Sequence, residues 1–152
     1  VKLCKYGEPV TGDKARYGSE SDKFAAKGEE LFKSLVPVAK DMNRKQFQSA
    51  YDFEVAGLKV DVKCSTKRLS NVASKQKRWA FSVKRQRLIA DFLICFGYGD
   101  DGVEKCLAIP GEIARNHGTI SLSCRGGKWS DYEIEPSELN DFIMAVAAAK
   151  AA

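Results

Sequence analysis

Between Tyr51 and Lys63 the residues alternate strictly between apolar and polar on either side of Ala56-Gly57. Tyr51, Phe53, Val55, Leu58, Val60 and Val62 form one set; Asp52, Glu54, Lys59, Asp61 and Lys63 form the other. Period two is the mark of strands with one buried and one polar face, so this stretch is predicted to be a β-hairpin, roughly 46–55 and 58–65. With a two-residue or a four-residue loop, Val55 faces Leu58, Phe53 faces Val60 and Tyr51 faces Val62. Asp52 then lies opposite Asp61, Glu54 lies opposite Lys59, and Lys63 sits two residues beyond Asp61. A three-residue loop with a bulge shifts this pairing by one.

Helical periodicity precedes the hairpin. Phe24, Gly28, Leu31, Phe32, Leu35 and Val36 recur at helical spacing, with Ser21 or Asp22 as the cap and Pro37 as the disturbance that ends the helix before Lys40. Residues 1–20 show little periodicity and read as an arm. After the hairpin, 66–78 reads as a mobile loop or short helix, and Trp79–Val83 as a short strand. Phe92-Leu-Ile-Cys-Phe96 is a continuous apolar run, as a strand buried on both faces requires. Gly99-Asp-Asp-Gly102 predicts a turn, Glu104–Ile109 a strand stopped by Pro110, Pro110–Asn116 a helical turn, and Thr119–Cys124 another strand. Glu135–Lys150 predicts a terminal helix with Leu139, Phe142, Ile143, Val146 and Ala147 on one face. This order predicts an α/β (α+β) domain over residues 21–152, with a mixed central sheet flanked by helices and a mostly antiparallel start.

Charge changes this picture more than composition does. The chain carries 44% apolar and 30% charged residues, a globular rather than a disordered balance. Its net charge of +5 is modest, but from Lys63 to Arg87 there are nine basic residues and no acid. A one-sign block is the footprint of a polyanion partner; the competing reading is a solvated basic loop. Lys67, Arg68, Lys75, Lys77, Arg78 and Arg85 are the candidate phosphate contacts, which supply position and affinity rather than sequence reading. The start of the sequence lacks the apolar core of a secretory signal, and no apolar run is long enough for a membrane span, so a cytoplasmic protein is expected. Five scattered cysteines with no CxxC, and one histidine, give a structural zinc site little support. Cys64, Cys95 and Cys124 stand in apolar contexts and are expected to be buried thiols.

The paired acids of the hairpin carry the chemistry. Directly opposed carboxylates on one sheet face have Cβ atoms roughly 4.5–5.5 Å apart and repel. A hard divalent cation offsets such repulsion and is commonly held by one or two carboxylates together with a substrate phosphate. A lysine beside it can stabilise charge developing on phosphate. The competing reading is a solvated face with ordinary Asp52–Lys63 and Glu54–Lys59 pairs.

The order of these pieces resembles the PD-(D/E)xK nuclease superfamily. The matching segments are Lys27-Gly-Glu-Glu-Leu-Phe32, Tyr51-Asp-Phe53 and Asp61-Val-Lys63, with eight residues between Asp52 and Asp61. Trp79-Ala-Phe81, Ala90-Asp-Phe-Leu-Ile-Cys95 and Leu107-Ala-Ile-Pro110 look like the small homing endonucleases of this superfamily and its Holliday-junction resolvases. The resemblance spans roughly residues 22–135, and Tyr51 stands where the family usually has Pro. It implies a restriction-endonuclease-like core and a Mg²⁺-dependent endonuclease acting on double-stranded or branched DNA, with Mn²⁺ as a substitute. It implies that Asp52, Asp61 and the Val62 carbonyl bind the metal, and that Lys63 orients or activates the attacking water. A glutamate of the first helix would complete the shell. Glu29 shares a face with Ala25, Phe32 and Val36 and is preferred to Glu30; Glu20 is a remote third. Cutting both strands implies a homodimer or homotetramer.

Other residues add less. His117 sits between Asn116 and Gly118 as at a helix end, Gln86 is a candidate assistant to the site, Asp91 is expected to anchor a strand start, and Trp79 is expected in the core. The rival classes are a non-catalytic nucleic-acid-binding module and an interaction protein without enzymatic activity.

Overall fold

A computed structural model describes residues 20–42, 51–69, 77–83, 89–125 and 127–152. Helix α1 (Glu20–Leu35) leads to β1 (Lys40–Asp41), β2 (Phe53–Val55), β3 (Leu58–Thr66), β4 (Arg68–Leu69) and β5 (Lys77–Ser82). Then come β6 (Phe92–Gly99), β7 (Gly102–Pro110), α2 (Gly111–Ala114), β8 (Thr119–Ser123), two 3₁₀ turns (Lys128–Tyr132 and Pro136–Glu138) and α3 (Leu139–Ala151). Five strands form a mixed sheet in the order β1-β2-β3-β6-β7, and three form a second sheet in the order β4-β5-β8. The protein is a mixed α+β fold.

Within the apolar run, residues 93–96 are buried on both faces, and Phe92 is half-buried at its start. Ile94 and Phe96 pack on one side with Phe32 and Val36 of α1 and Leu139 and Ile143 of α3. Leu93 and Cys95 pack on the other side with Trp79 and Phe81 of β5 and Ile120 and Leu122 of β8. Helices therefore cover one face of the main sheet, and the second sheet covers the other. On that face strands flank the sheet, because Trp79-Ala-Phe-Ser and Thr119-Ile-Ser-Leu alternate with period two and bury one row each. The expected loop over 66–78 is likewise corrected: Arg68 and Leu69 pair with Arg78 and Lys77. Residues 70–76 lie outside the described residues, as do the arm (1–19) and the expected strand over 46–50.

Close approaches fix where glycine must stand. Trp79 lies flat on Gly97, where an added Cβ would come within 3.0 Å of the ring, and its Nε1–H donates to Tyr98 O at 3.0 Å. A Cβ on Gly111 would lie 1.8 Å from Ala90 O, a backbone atom that cannot swing aside. Gly111→Ala is therefore expected to cost more than about 2 kcal/mol, because α2 and the start of β6 must separate. Chemical denaturation of the two proteins checks this.

Asp91 ties the sheet ends together, as a strand anchor should. Its N–H donates to Lys59 O (2.7 Å), its Oδ2 accepts from Lys59 N (2.8 Å), its carbonyl accepts from Gly111 N (2.8 Å), and Lys150 of α3 pairs with Oδ1 at 3.1 Å. The thiols differ from expectation in one place. Cys95 is buried and Cys64 half-buried, but Cys124 is exposed because it lies beyond the last residue of β8; Cys106 is buried instead. None of the four described cysteines is in a disulfide. Among the described residues no helix is long and apolar enough to cross a membrane.

Candidate functional site

The hairpin has the two-residue loop. Val55 pairs with Leu58, Glu54 with Lys59 and Phe53 with Val60, and both loop residues have left-handed backbones, Ala56 at φ 48° and Gly57 at φ 87°. Such a turn matches the twist of the strands but strains an alanine by roughly 1 kcal/mol. Ala56→Asn is expected to recover about 0.5–1 kcal/mol, readable as a raised melting temperature.

The ladder stops at Phe53, and there the site begins. The Asp52 N–H still reaches Val60 O (3.1 Å), and Asp52 O accepts from Met42 N (2.9 Å). One step on, Val62 N–H donates to the Asp52 side chain, at 2.8 Å from Oδ2. The carboxylate thus stands in for the backbone acceptor that a longer β2 would have supplied. Tyr51 does not face Val62 as expected. The bend at 51–52 carries it to the polar side, where its hydroxyl is 3.4 Å from Glu54 Oε2 and Lys59 Nζ lies 5.7 Å from its ring. On an extended strand the N–H and C=O of one residue point the same way, so the Val62 carbonyl also faces this fork.

Asp61 lies one residue before Val62, half-buried, with its carboxyl within hydrogen-bonding reach of Asp52. Burial, then the charge of Asp52 and the hydrogen bond to it, push Asp61 from the usual 3.8 up to about 8. The Lys63 ammonium pulls in the opposite direction, and Glu29 adds a smaller upward push. Glu29 is on α1, only 3% exposed, whereas Glu30 points to solvent. Gly28 lets α1 sit this close to β3, since a Cβ there would overlap Cys64 Sγ. The structure therefore brings Asp52, Asp61, Lys63 and Glu29 into electrostatic contact at one fork. Among the described residues no three His, Cys, Asp or Glu side chains are already arranged as a metal cage. The donor set fits a hard cation nonetheless: oxygen ligands only, with two carboxyls in contact. Asp52, Asp61 and the Val62 carbonyl are the groups that would hold it.

The basic candidates do not act as one cluster. Lys67 pairs with Glu104 at 2.6 Å, which raises its pKa, and lies 5.4 Å from the Trp79 ring centre. Arg68 is exposed, with Nε 3.3 Å from Thr66 Oγ1, and Lys77 is exposed. Arg78 is half-buried and donates from Nε to Ser121 Oγ at 2.9 Å. Lys75, Arg85 and Gln86 lie outside the described residues. Trp79 is a core residue at 1% exposure, which leaves no ring face for a base. His117 follows α2, its N–H bonded to Ala114 O (3.0 Å) and its ring edge-on to Trp129 at 4.8 Å, on a different element from the fork. Sequence reasoning missed Ser121; the alternation Thr119-Ile-Ser-Leu-Ser was the available signal.

No protein-family model matches the chain, and no curated protein matches it.

Proposed function

We propose that the protein is a Mg²⁺-dependent endonuclease acting on double-stranded or branched DNA through a restriction-endonuclease-like core. The observation that carries this reading is the meeting of the Asp52 and Asp61 carboxyls where β2 leaves β3, with Lys63 and Glu29 within electrostatic reach. Two acids that meet share a proton, and a divalent cation is the charge that can take that proton's place. Mg²⁺, or Mn²⁺ in its place, supplies a lowered water pKa and neutralises charge on the reacting phosphate. Asp52, Asp61 and the Val62 carbonyl would hold it, and Glu29 would complete the shell or hold a water there. Lys63 orients the attacking water and faces the charge that grows on the phosphate. Arg68 and Lys77, with Lys67 once its Glu104 pair opens, contact phosphates, and Arg78 contacts the DNA beside them. Two sites are needed to cut both strands, so the reading includes a homodimer or homotetramer. It also includes a reducing, cytoplasmic setting, supported by thiols at Cys95 and Cys106.

Incubation with supercoiled plasmid and four-way junctions in Mg²⁺, with and without chelator, tests the reading. Chelator-sensitive nicking is expected. If every substrate survives intact in both conditions, the endonuclease reading fails. The lack of a ready-made metal cage among the described residues favours a second reading, a non-catalytic nucleic-acid-binding module. In that case calorimetry finds no Mg²⁺ or Mn²⁺ binding that depends on Asp52 and Asp61.

A further inference from the structure

We propose that the outer face of the β5–β8 ribbon enters the DNA major groove and reads base edges, with Arg78 as the principal reader. The inference rests on duplex DNA being the ligand, as in the reading above.

The ribbon is narrow where it matters. Among the described residues β4 pairs only with Arg78 and Lys77, and Ser65 of β3 flanks β5 at Ala80, so the bare two-stranded part is the end at Phe81 and Ser82; Ile120 lies opposite Phe81 and Leu122 opposite Trp79. Two strands about 4.8 Å apart, plus side chains, fit a groove about 12 Å wide. The inner row is locked into the core: Trp79, Phe81, Ile120 and Leu122 are each about 1% exposed or less. A reading surface needs that rigidity.

The outer row is short and polar. Ala80 pairs with Ser121 and Ser82 with Thr119, all exposed or half-exposed, whereas Ser123, the partner of Arg78, is buried. Hydroxyls donate or accept, and an alanine methyl suits a thymine methyl, so such a row can lie against base edges without holding the backbone away. At the end of this row Arg78 pairs directly with Arg68. Like charges opposed across an antiparallel pair are destabilising, and an anion or a guanine edge between them removes that cost. The Arg78 Nε–Ser121 Oγ bond holds the guanidinium across the ribbon, and a positioned guanidinium binds guanine O6 and N7 in bidentate fashion.

The ribbon is also tied to the cutting fork. Ala80 N–H donates to Ser65 Oγ at 3.0 Å, and Ser65 lies on β3 with Asp61 and Lys63. β3 runs into β4 with only Lys67 between them. Seven residues of extended chain from Asp61 to Arg68 span at most about 23 Å. At 3.4 Å per base pair that backbone span alone corresponds to roughly seven base pairs.

The test is selection from a randomised duplex DNA library in chelator, comparing wild type with Arg78→Lys and Ser121→Ala. Wild type is expected to enrich a site containing a guanine. Arg78→Lys keeps the positive charge but loses the bidentate fork. It is expected to lose that guanine and to bind the selected duplex roughly ten- to a hundred-fold more weakly. Ser121→Ala is expected to weaken the same preference. If Arg78→Lys retains both the preference and the affinity, or if wild type enriches no sequence, the inference is overturned, whatever the nicking assay shows. It is also overturned if the matching RNA duplex is bound with the same preference, because the A-form major groove is closed to side chains. If the selected duplex is bound with an Arg78-dependent preference yet stays uncut in Mg²⁺, the ribbon inference stands and the endonuclease reading falls.

Discussion

Asp61→Asn is expected to lower Mg²⁺-dependent cleavage of duplex DNA by at least about a thousand-fold while the protein stays folded. The amide keeps the shape of the carboxyl and can still hydrogen-bond Asp52, so the fork survives. It removes one of the two charges that would hold the cation and leaves Asp52 a weak ligand alone. Glu29→Gln is expected to lose less, about ten- to a hundred-fold, because this side chain borders the site from α1. Glu30→Gln is the control. Its side chain is exposed on the same helix, so cleavage is expected to match wild type. Single-turnover rates on one plasmid substrate separate the three. If Asp61→Asn cuts as fast as wild type, the acids at the fork are structural. If Glu30→Gln loses as much as Glu29→Gln, the helix contributes its charge at long range rather than a positioned group.

The hairpin was legible because one constraint decided it. Alternation over Phe53–Val55 and Leu58–Val62 leaves a single register that buries every apolar side chain, and the structure has that register. The buried strand β6 was legible for a similar reason, since only a strand covered on both faces tolerates Phe92-Leu-Ile-Cys-Phe96. Its partner was not. β3 and β6 run parallel, Asp61 beside Leu93 and Lys63 beside Cys95. A parallel pair needs a long crossover, and the described part of it carries β4 and β5 of the second sheet. The two residues of β4 carry no period to read, and they form only because Arg78 and Lys77 lie alongside.

The fork itself was half legible. Sequence pairing placed Asp52 opposite Asp61 on a continuous ladder. The carboxyls do meet, but the ladder has already ended, and Asp52 spends one oxygen on Val62 N–H. Tyr51 explains why the alternation misled: a phenol can lie on either face, and the bend that frees Asp52 turns Tyr51 toward Glu54. The preference for Glu29 over Glu30 came from the helical face shared with Phe32 and Val36, and those residues are fully buried beside it. The basic block behaved otherwise. Its net sign was visible, yet the Glu104 that engages Lys67 comes from β7, far along the chain.

Metal-free protein is expected to lose stability as pH rises from 3.8 to about 8, and Mg²⁺ is expected to restore it at the upper end. Within that window the folded Asp61 holds a proton that the unfolded chain has released, because its pKa is raised in the fold. The native state therefore binds more protons, and each step up in pH favours unfolding. One proton is worth at most about 1.4 kcal/mol per pH unit. Solvent reaching the half-buried group and sharing with Asp52 reduce the whole effect to about 2 kcal/mol, roughly a 4–8 °C fall in melting temperature. A cation binds the deprotonated carboxylates, so it competes with this proton and gains most where the proton is already leaving. At a hundred times its dissociation constant it stabilises by about 2.7 kcal/mol. Asp61→Asn cannot titrate, so its melting temperature is expected to be flatter with pH and insensitive to Mg²⁺. Thermal melts across the window, with chelator or Mg²⁺, give all four curves. A flat wild-type curve in chelator means that Asp61 ionises as an ordinary carboxylate and that the Asp52–Asp61 contact does not hold in solution. A sloping curve that Mg²⁺ leaves unchanged means that the two acids share a proton and hold no cation.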